Sequence, residues 1–235
     1  MTTVHEIASH LYRISTPVEG IGIPGGFSFN QFLVVDDAPL LFHTGPRRMF
    51  PLVRDAVARV LGDAAKLRYV AFSHVEADEM GSLDLWLAAA PAAEAVCSMV
   101  AKMVSTDDLV DRPAVGLADG QELALGKRSL RWLDAPHVPH GWDCGYLFDA
   151  STKTLLCGDL FTQAGSNLPP LTESEVLGPS EVMRSGMDYF AHGPQTRATL
   201  DKLARTEPTT LACMHGSSYR GNGAALLRAL ADKVA

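Results

Sequence analysis

Positive charge is scarce in this chain: 20 lysines and arginines stand against 27 acids, for a net charge of -7 and a pI near 5.6. Phosphate and anionic lipid surfaces are recognised by clustered cations, and the nearest thing to a cluster is the pair Arg47-Arg48, which argues against a nucleic-acid or membrane-surface role. Cysteine is also sparse. Cys97, Cys144, Cys157 and Cys213 lie far apart, with no CxxC pair and no secreted disulfide spacing, so they are expected to be reduced, buried, small apolar residues. No apolar run reaches the roughly 18 residues that span a bilayer, and the start MTTVHEIASHLYRIS lacks a basic region followed by an apolar one. The expected location is the cytoplasm. A phosphate-cradling glycine loop leading into a helix is missing as well: GIGIPGG at 20–26 precedes a strand, which reads as an active-site rim loop or a hairpin. No internal repeat is evident.

What the chain does have is apolar residues, 47% of its 235, enough for one large domain spanning 1–235. Apolar, β-branched runs bounded by turn residues predict strands at 30–35, 39–42, 67–73, 122–125, 129–133, 145–148, 154–157 and 209–214. FPLVRDAVARVLG carries a helical stripe at 52, 53, 56, 57, 60 and 61, with Pro51 near its start and Gly62 as its stop. GSLDLWLAAAP, PQTRATLDKLART and GAALLRALADKVA have the same spacing. The order is mixed α/β, and hairpin-like pairs at 121–134 and 145–158 predict sheets covered by helices on their outer faces. The stretch 162–194, with its NLPP and LGP, reads as irregular and too long for a plain connection, hence as an active-site lid.

One turn stands out. SHVEADEMGSL, directly after an apolar strand, crowds His74, Glu76, Asp78 and Glu79 together. Like charges so close are costly unless a cation neutralises them. A helix N-terminus also attracts acids and would account for Asp78 and Glu79, but not for His74 or Glu76. Two further residues follow strands in equivalent positions, Asp159 after TLLCG and His215 after TTLACM, and the carboxyl ends of strands are where ligands gather in α/β sheets.

HxExD, a histidine within PHVPHGWD, then CGDLF and MHGSS together resemble the metallo-β-lactamase superfamily over nearly the whole chain. NQFLV resembles the superfamily's early NxYLV strand. LLFHTG takes the place of its IDTG, with His43 where aspartate is usual. The resemblance implies a four-layer αββα sandwich of two mixed sheets. Hydrolases of this superfamily usually carry HxHxDH; the HxExD turn instead resembles the diiron domain of flavodiiron proteins and of stand-alone oxygen-binding diiron proteins. Their motif ends in histidine, and Glu79 departs from it.

This likeness implies two metal ions, one held by His74, Glu76 and His140, the other by Asp78, His215 and Glu79, with Asp159 as the bridge. His140 aligns HGWDC with the diiron family's HWPDS, whereas His137 fits the general superfamily motif, so either could supply the middle ligand. The flavodoxin-like domain of flavodiiron reductases has no counterpart here. No bound flavin is expected, and electrons would come from a separate donor protein; a homodimer is also implied by the likeness.

The ligand set separates three functions. A carboxylate in place of an imidazole adds charge and a harder donor, which favours iron over zinc, with manganese also compatible. A carboxylate-rich diferrous pair is suited to bind or reduce a neutral molecule such as O2 or NO. The second reading is a hydrolase of a thioester, lactone or related small ester using a metal-bound hydroxide, since zinc also accepts two histidines and a glutamate. The third, prompted by Glu79 and His43, is a binding module with at most one metal. Trp142, Tyr146, Phe161 and Tyr219 read as packing, with Trp142 a possible water-excluding wall of the metal face.

Overall fold

The computed structural model describes all of residues 1–235. Two seven-stranded sheets divide the chain in sequence order. The first holds β1 (Thr3–Ala8), β2 (Leu11–Val18), β3 (Phe27–Val34), β4 (Leu40–Phe42), β5 (Tyr69–Ala71), β6 (Glu94–Ser98) and β7 (Val115–Leu117), side by side in that order. Its first four strands form an antiparallel meander, and β4 to β7 run parallel. The parallel half is joined through α1 (Phe50–Leu61), the short α2 (Ala77–Met80), α3 (Leu83–Ala89), and α4 (Met99–Ala101) and α5 (Asp107–Leu109) around a π-helical turn.

The second sheet uses β8 (Glu122–Ala124), β9 (Ser129–Asp134), β10 (Gly145–Asp149), β11 (Thr154–Leu156), β12 (Leu171–Thr172), β13 (Thr210–Ala212) and β14 (Ser218–Arg220), in the order β12-β14-β13-β11-β10-β9-β8. Helices α6 (Leu177–Gly186) and α7 (Thr196–Ala204) lie between β12 and β13, and α8 (Gly223–Val234) follows β14.

Alternation along the strands sorts side chains into three buried layers. Phe32, Val34, Leu40 and Phe42 face Trp132, Leu147 and Leu156 between the sheets. Leu33, Leu41 and Val70 point outward onto Val53 and Val57 of α1 and Trp86 of α3. Leu155 and Leu211 likewise meet Leu200 and Leu203 of α7 and Leu227 and Leu230 of α8. The result is the four-layer αββα sandwich.

Strand directions position the site. β9 is antiparallel to β10, β10 to β11, and β11 is parallel to β13, so β9, β11 and β13 all deliver their carboxyl ends to one edge. The loops carrying His140, Asp159 and His215 leave from those ends. No helix is long and apolar enough to cross a membrane. The four cysteines are free and buried, as expected.

The segment 162–194 is not irregular throughout. It contains β12 and the ten-residue α6, whose Gly178 and Pro179 fall in the first turn, where proline costs a helix little. The loop 20–26 is the connection of the β2–β3 hairpin.

Candidate metal centre

The acidic turn follows β5, and backbone bonds clamp it from both sides. Thr44 N–H donates to the Glu79 carbonyl at 2.7 Å and Gly45 N–H to that of Asp78 at 3.1 Å, which gives the HTG stretch a structural task. Across the cleft, Asp143 Oδ2 accepts from Val75 N–H at 2.8 Å, fastening the turn to the loop of His140. Asn30 Nδ2 donates to the carbonyls of Cys213 and Gly216, both at 2.9 Å, and so grips the His215 loop. That is what the asparagine of NQFLV does here.

Seven side chains converge in two groups: His74, Glu76, His140 and Asp159 form one, and Asp78, Glu79 and His215 the other. In the first, His74 Nε2 and His140 Nε2 are 2.9 Å apart, and Glu76 Oε2 lies 2.9 and 3.0 Å from them. Asp159 joins both groups, its Oδ2 lying 3.5 Å from His140 Nε2 and its Oδ1 3.4 Å from His215 Nε2. Asp78 Oδ2 stands 3.2 Å from the same His215 nitrogen. Glu76 makes no cap to α2; its side chain turns to the histidines instead. Helix capping therefore does not account for it.

Each histidine commits its other nitrogen away from the cluster. His74 Nδ1 contacts Ser73 Oγ at 2.9 Å, His140 Nδ1 the Tyr189 carbonyl at 2.8 Å and His215 Nδ1 the Ser28 carbonyl at 2.9 Å. A carbonyl can only accept, so Nδ1 of His140 and His215 carries a proton, and Nε2 is the nitrogen each ring turns toward the carboxylates, free to hold either a second proton or a metal ion. Lone pairs facing carboxylates repel unless protons or a cation stand between them. Two ligand atoms about 2.1 Å from one metal and at right angles to it are separated by about 3 Å, which the His74, Glu76 and His140 atoms match, with Asp159 Oδ2 somewhat farther at 3.5 and 3.7 Å.

Glu79 adds a second sign. It is 0% exposed and neither carboxylate oxygen has a hydrogen-bond partner. Burial, then the neighbouring Asp159 and Asp78, push its pKa well above the ordinary carboxylate range. An orphaned buried carboxylate costs stability that a metal would offset. The donor set thus fits a pair of cations.

Beside the cluster opens a cavity of ≈ 160 Å³, walled by Phe27, Thr162, Met183, Met187 and Tyr189 together with five of the seven side chains. It is well below the roughly 300–1,000 Å³ of common small-molecule pockets.

A sequence model described as ODP family beta lactamase matches residues 27–216. The chain belongs to the ODP beta-lactamase family. A nitric oxide reductase from Moorella thermoacetica is 28% identical over 142 residues, which cover 59% of this chain and 35% of that protein. The structure resembles rubredoxin oxygen:oxidoreductase from Desulfovibrio gigas, with TM-score 0.83 and 22% identity over 98% of this chain and 62% of the other. The flavodiiron protein of Giardia intestinalis gives TM-score 0.81 and 20% identity over 98% and 59%. At such identities the structural likeness establishes the fold alone. The chain spans only a quarter to about a third of the curated relatives it matches.

Within this ODP-family chain, His140 enters the cluster while His137 is exposed and belongs to neither group. Trp142 does not wall the metal face: it is 58% exposed and absent from the cavity lining, because Gly141 turns the loop outward with φ 71°. Tyr146 and Phe161 are buried packing, and Tyr219 is half-buried. The wall is built instead by Phe27, stacked on His215 at 4.3 Å, and by Met183 and Met187 of and just after α6. His43 is fully buried and its Nε2 lies 3.1 Å from Ser73 Oγ, which links it to His74. Burial lowers its pKa to about 3, so the ring is neutral and can accept the Ser73 hydroxyl proton. Sequence reasoning missed Ser28 and Tyr189, whose contributions are main-chain carbonyls and leave no side-chain signature.

Proposed function

We propose that this chain is a non-heme dinuclear metalloprotein, with iron as its metal, that binds or reduces O2 or NO. The observation that carries the reading is Glu76: a carboxylate sits 2.9 Å from His74 Nε2 and 3.0 Å from His140 Nε2, in the place where hydrolases of the fold hold an imidazole. His74, Glu76 and His140 would hold one ion, Asp78, Glu79 and His215 the other, and Asp159 would bridge them. Two iron ions bound there would supply electrons to a small diatomic ligand. Relatives that include a nitric oxide reductase and an oxygen:oxidoreductase support the choice of ligand.

The chain's own residues shape what reaches the ions. Ser73, Tyr189 and Ser28 hold the three imidazoles with Nε2 inward. Phe27, Met183 and Met187 give the small cavity an apolar wall that excludes water and admits few atoms. The segment 162–194 acts as the cover of the site, and electrons come from a separate donor protein. Hydrolysis is the weaker reading, since added carboxylate charge reduces the electrophilicity of the ions and the cavity leaves little room for an ester.

The test is metal analysis of protein purified anaerobically without added metal, followed by absorption spectra on exposure to O2 or NO. Two irons per chain and a new charge-transfer band within seconds are expected. Two irons with no spectral response sink the proposal; zinc with turnover of small esters transfers it to hydrolysis, and well under two metals per chain to a binding module.

A further inference from the structure

We propose that the chain carries, apart from the metal cluster, a binding site for a small oxyanion, a carboxylate or a phosphate, anchored by Arg13 at the open edge between the two sheets.

Arg13 lies on β2, opposite His5 of β1, and two residues further Ser15 stands opposite Thr3. Alternation puts Arg13 and Ser15 on the same face as Leu11, which belongs to the core between the sheets. Beyond Leu11 that core gives way to a cavity of ≈ 580 Å³. Thr3, His5, Arg13 and Ser15 line it from the first sheet, and Ser166 and Asn167 from the approach to β12. None of its lining residues lines the metal cavity.

The guanidinium in this cavity is unbalanced. Arg13 as a whole is only 3% exposed and makes no ion pair; its Nη2 donates to the Gly216 carbonyl at 2.8 Å, and its buried Nε has no partner. Arginines buried to this degree are normally matched by a carboxylate, because an isolated charge is expensive to desolvate. Burial lowers the Arg13 pKa to about 10, the response of a cation without a compensating anion. Glu19, at the rim of this cavity, is exposed and accepts from Ser166 Oγ at 3.3 Å, and it makes no ion pair with Arg13.

A planar fork of donors, flanked by hydroxyls and an amide within a cavity of small-molecule size, is the chemistry that recognises carboxylate or phosphate. The site also touches the metal region, since Arg13 holds the carbonyl of the residue after His215.

Titration calorimetry on the full chain, at constant ionic strength, with inorganic phosphate, acetate and succinate as separate probes decides the matter. Saturable binding of at least one probe with millimolar or tighter affinity is expected, and the responding probe distinguishes carboxylate from phosphate. Arg13→Met should weaken it at least tenfold. Asn167→Asp, at an exposed position where folding is safe, should weaken it at least threefold by placing like charge at the mouth. No binding by any probe, or binding that Asn167→Asp leaves unchanged, overturns the proposal whether or not the Arg13 variant folds.

Discussion

Glu79 concentrates the tension between stability and function in a single side chain. Its carboxyl is sealed from solvent with no donor to either oxygen, an arrangement that costs about 1–3 kcal/mol where no cation is present. Replacement by methionine, of similar length and without polar atoms, should therefore raise the stability of metal-free protein by about 1–3 kcal/mol in urea unfolding with chelator present. The same variant should hold fewer than two metals per chain. A loss of metal-free stability would show that Glu79 is a structural residue with partners the geometry conceals. Ser73 illustrates the next shell outward. Its hydroxyl oxygen accepts a hydrogen bond from His74 Nδ1–H and its own O–H donates to His43 Nε2, so it stands between the two rings. Ser73→Ala should leave the fold intact yet weaken metal binding about 10–100-fold in chelator competition, the range found when a ligand histidine loses its orienting partner. Unchanged affinity would mean that backbone geometry alone orients His74.

Among the elements, the β9–β10 pair is the one whose packing and site are tied together. Gly145 on β10 lies beside Asp134, and a Cβ built there would collide with the Trp132 ring of β9. Trp132 is fully buried between the sheets and cannot retreat. Gly145→Ala should cost about 1–3 kcal/mol through overpacking, seen as a lowered unfolding midpoint. The connection it disturbs carries His140, so metal affinity should fall with it; a variant as stable as the parent would show that the ring can shift. Such constraints explain what could be read from the sequence alone. The long apolar strands and the helices α1, α7 and α8 announce themselves by period, because each turns one continuous face to a core. β2 escapes because Arg13 and Ser15 occupy buried positions that alternation reserves for apolar side chains, and β12 because two residues carry no period. α6 hides behind Gly178, Pro179 and Gly186, although Met183 within it helps to wall the cavity. The metal cluster was legible because its ligands are chemically distinctive side chains. The carbonyls of Ser28 and Tyr189 were not, since any residue supplies one.

For the molecule as a whole, the two sheets bring loops from four distant parts of the chain to one edge, and what holds that edge together depends on pH. In metal-free protein, burial opposes charge on His215, but the carboxylates of Asp159 and Asp78 beside it outweigh burial and lift its pKa to about 10. His74 and His140 are shifted upward as well: burial again opposes, and their hydrogen bonds to Glu76, among others, prevail. A histidine with a raised folded-state pKa stabilises the fold fully below its unfolded value near 6.5, and that contribution is lost as pH rises toward the folded value. For His215 the window runs from about 6.5 to about 10. Metal-free protein should thus lose part of this contribution to its stability on going from pH 6 to pH 8.5, the remainder going as pH approaches 10. A cation needs the same Nε2 lone pairs that those protons occupy, so its affinity must move the opposite way and strengthen over the same interval. Binding to the folded state alone adds about 2.7 kcal/mol at a hundredfold excess over Kd. The rise in unfolding midpoint on adding Zn(II), a redox-silent probe, should accordingly be larger at pH 8.5 than at pH 6. An equal rise at both pH values would mean that the imidazoles are already neutral before metal arrives, and the seven side chains would then need another source of charge balance.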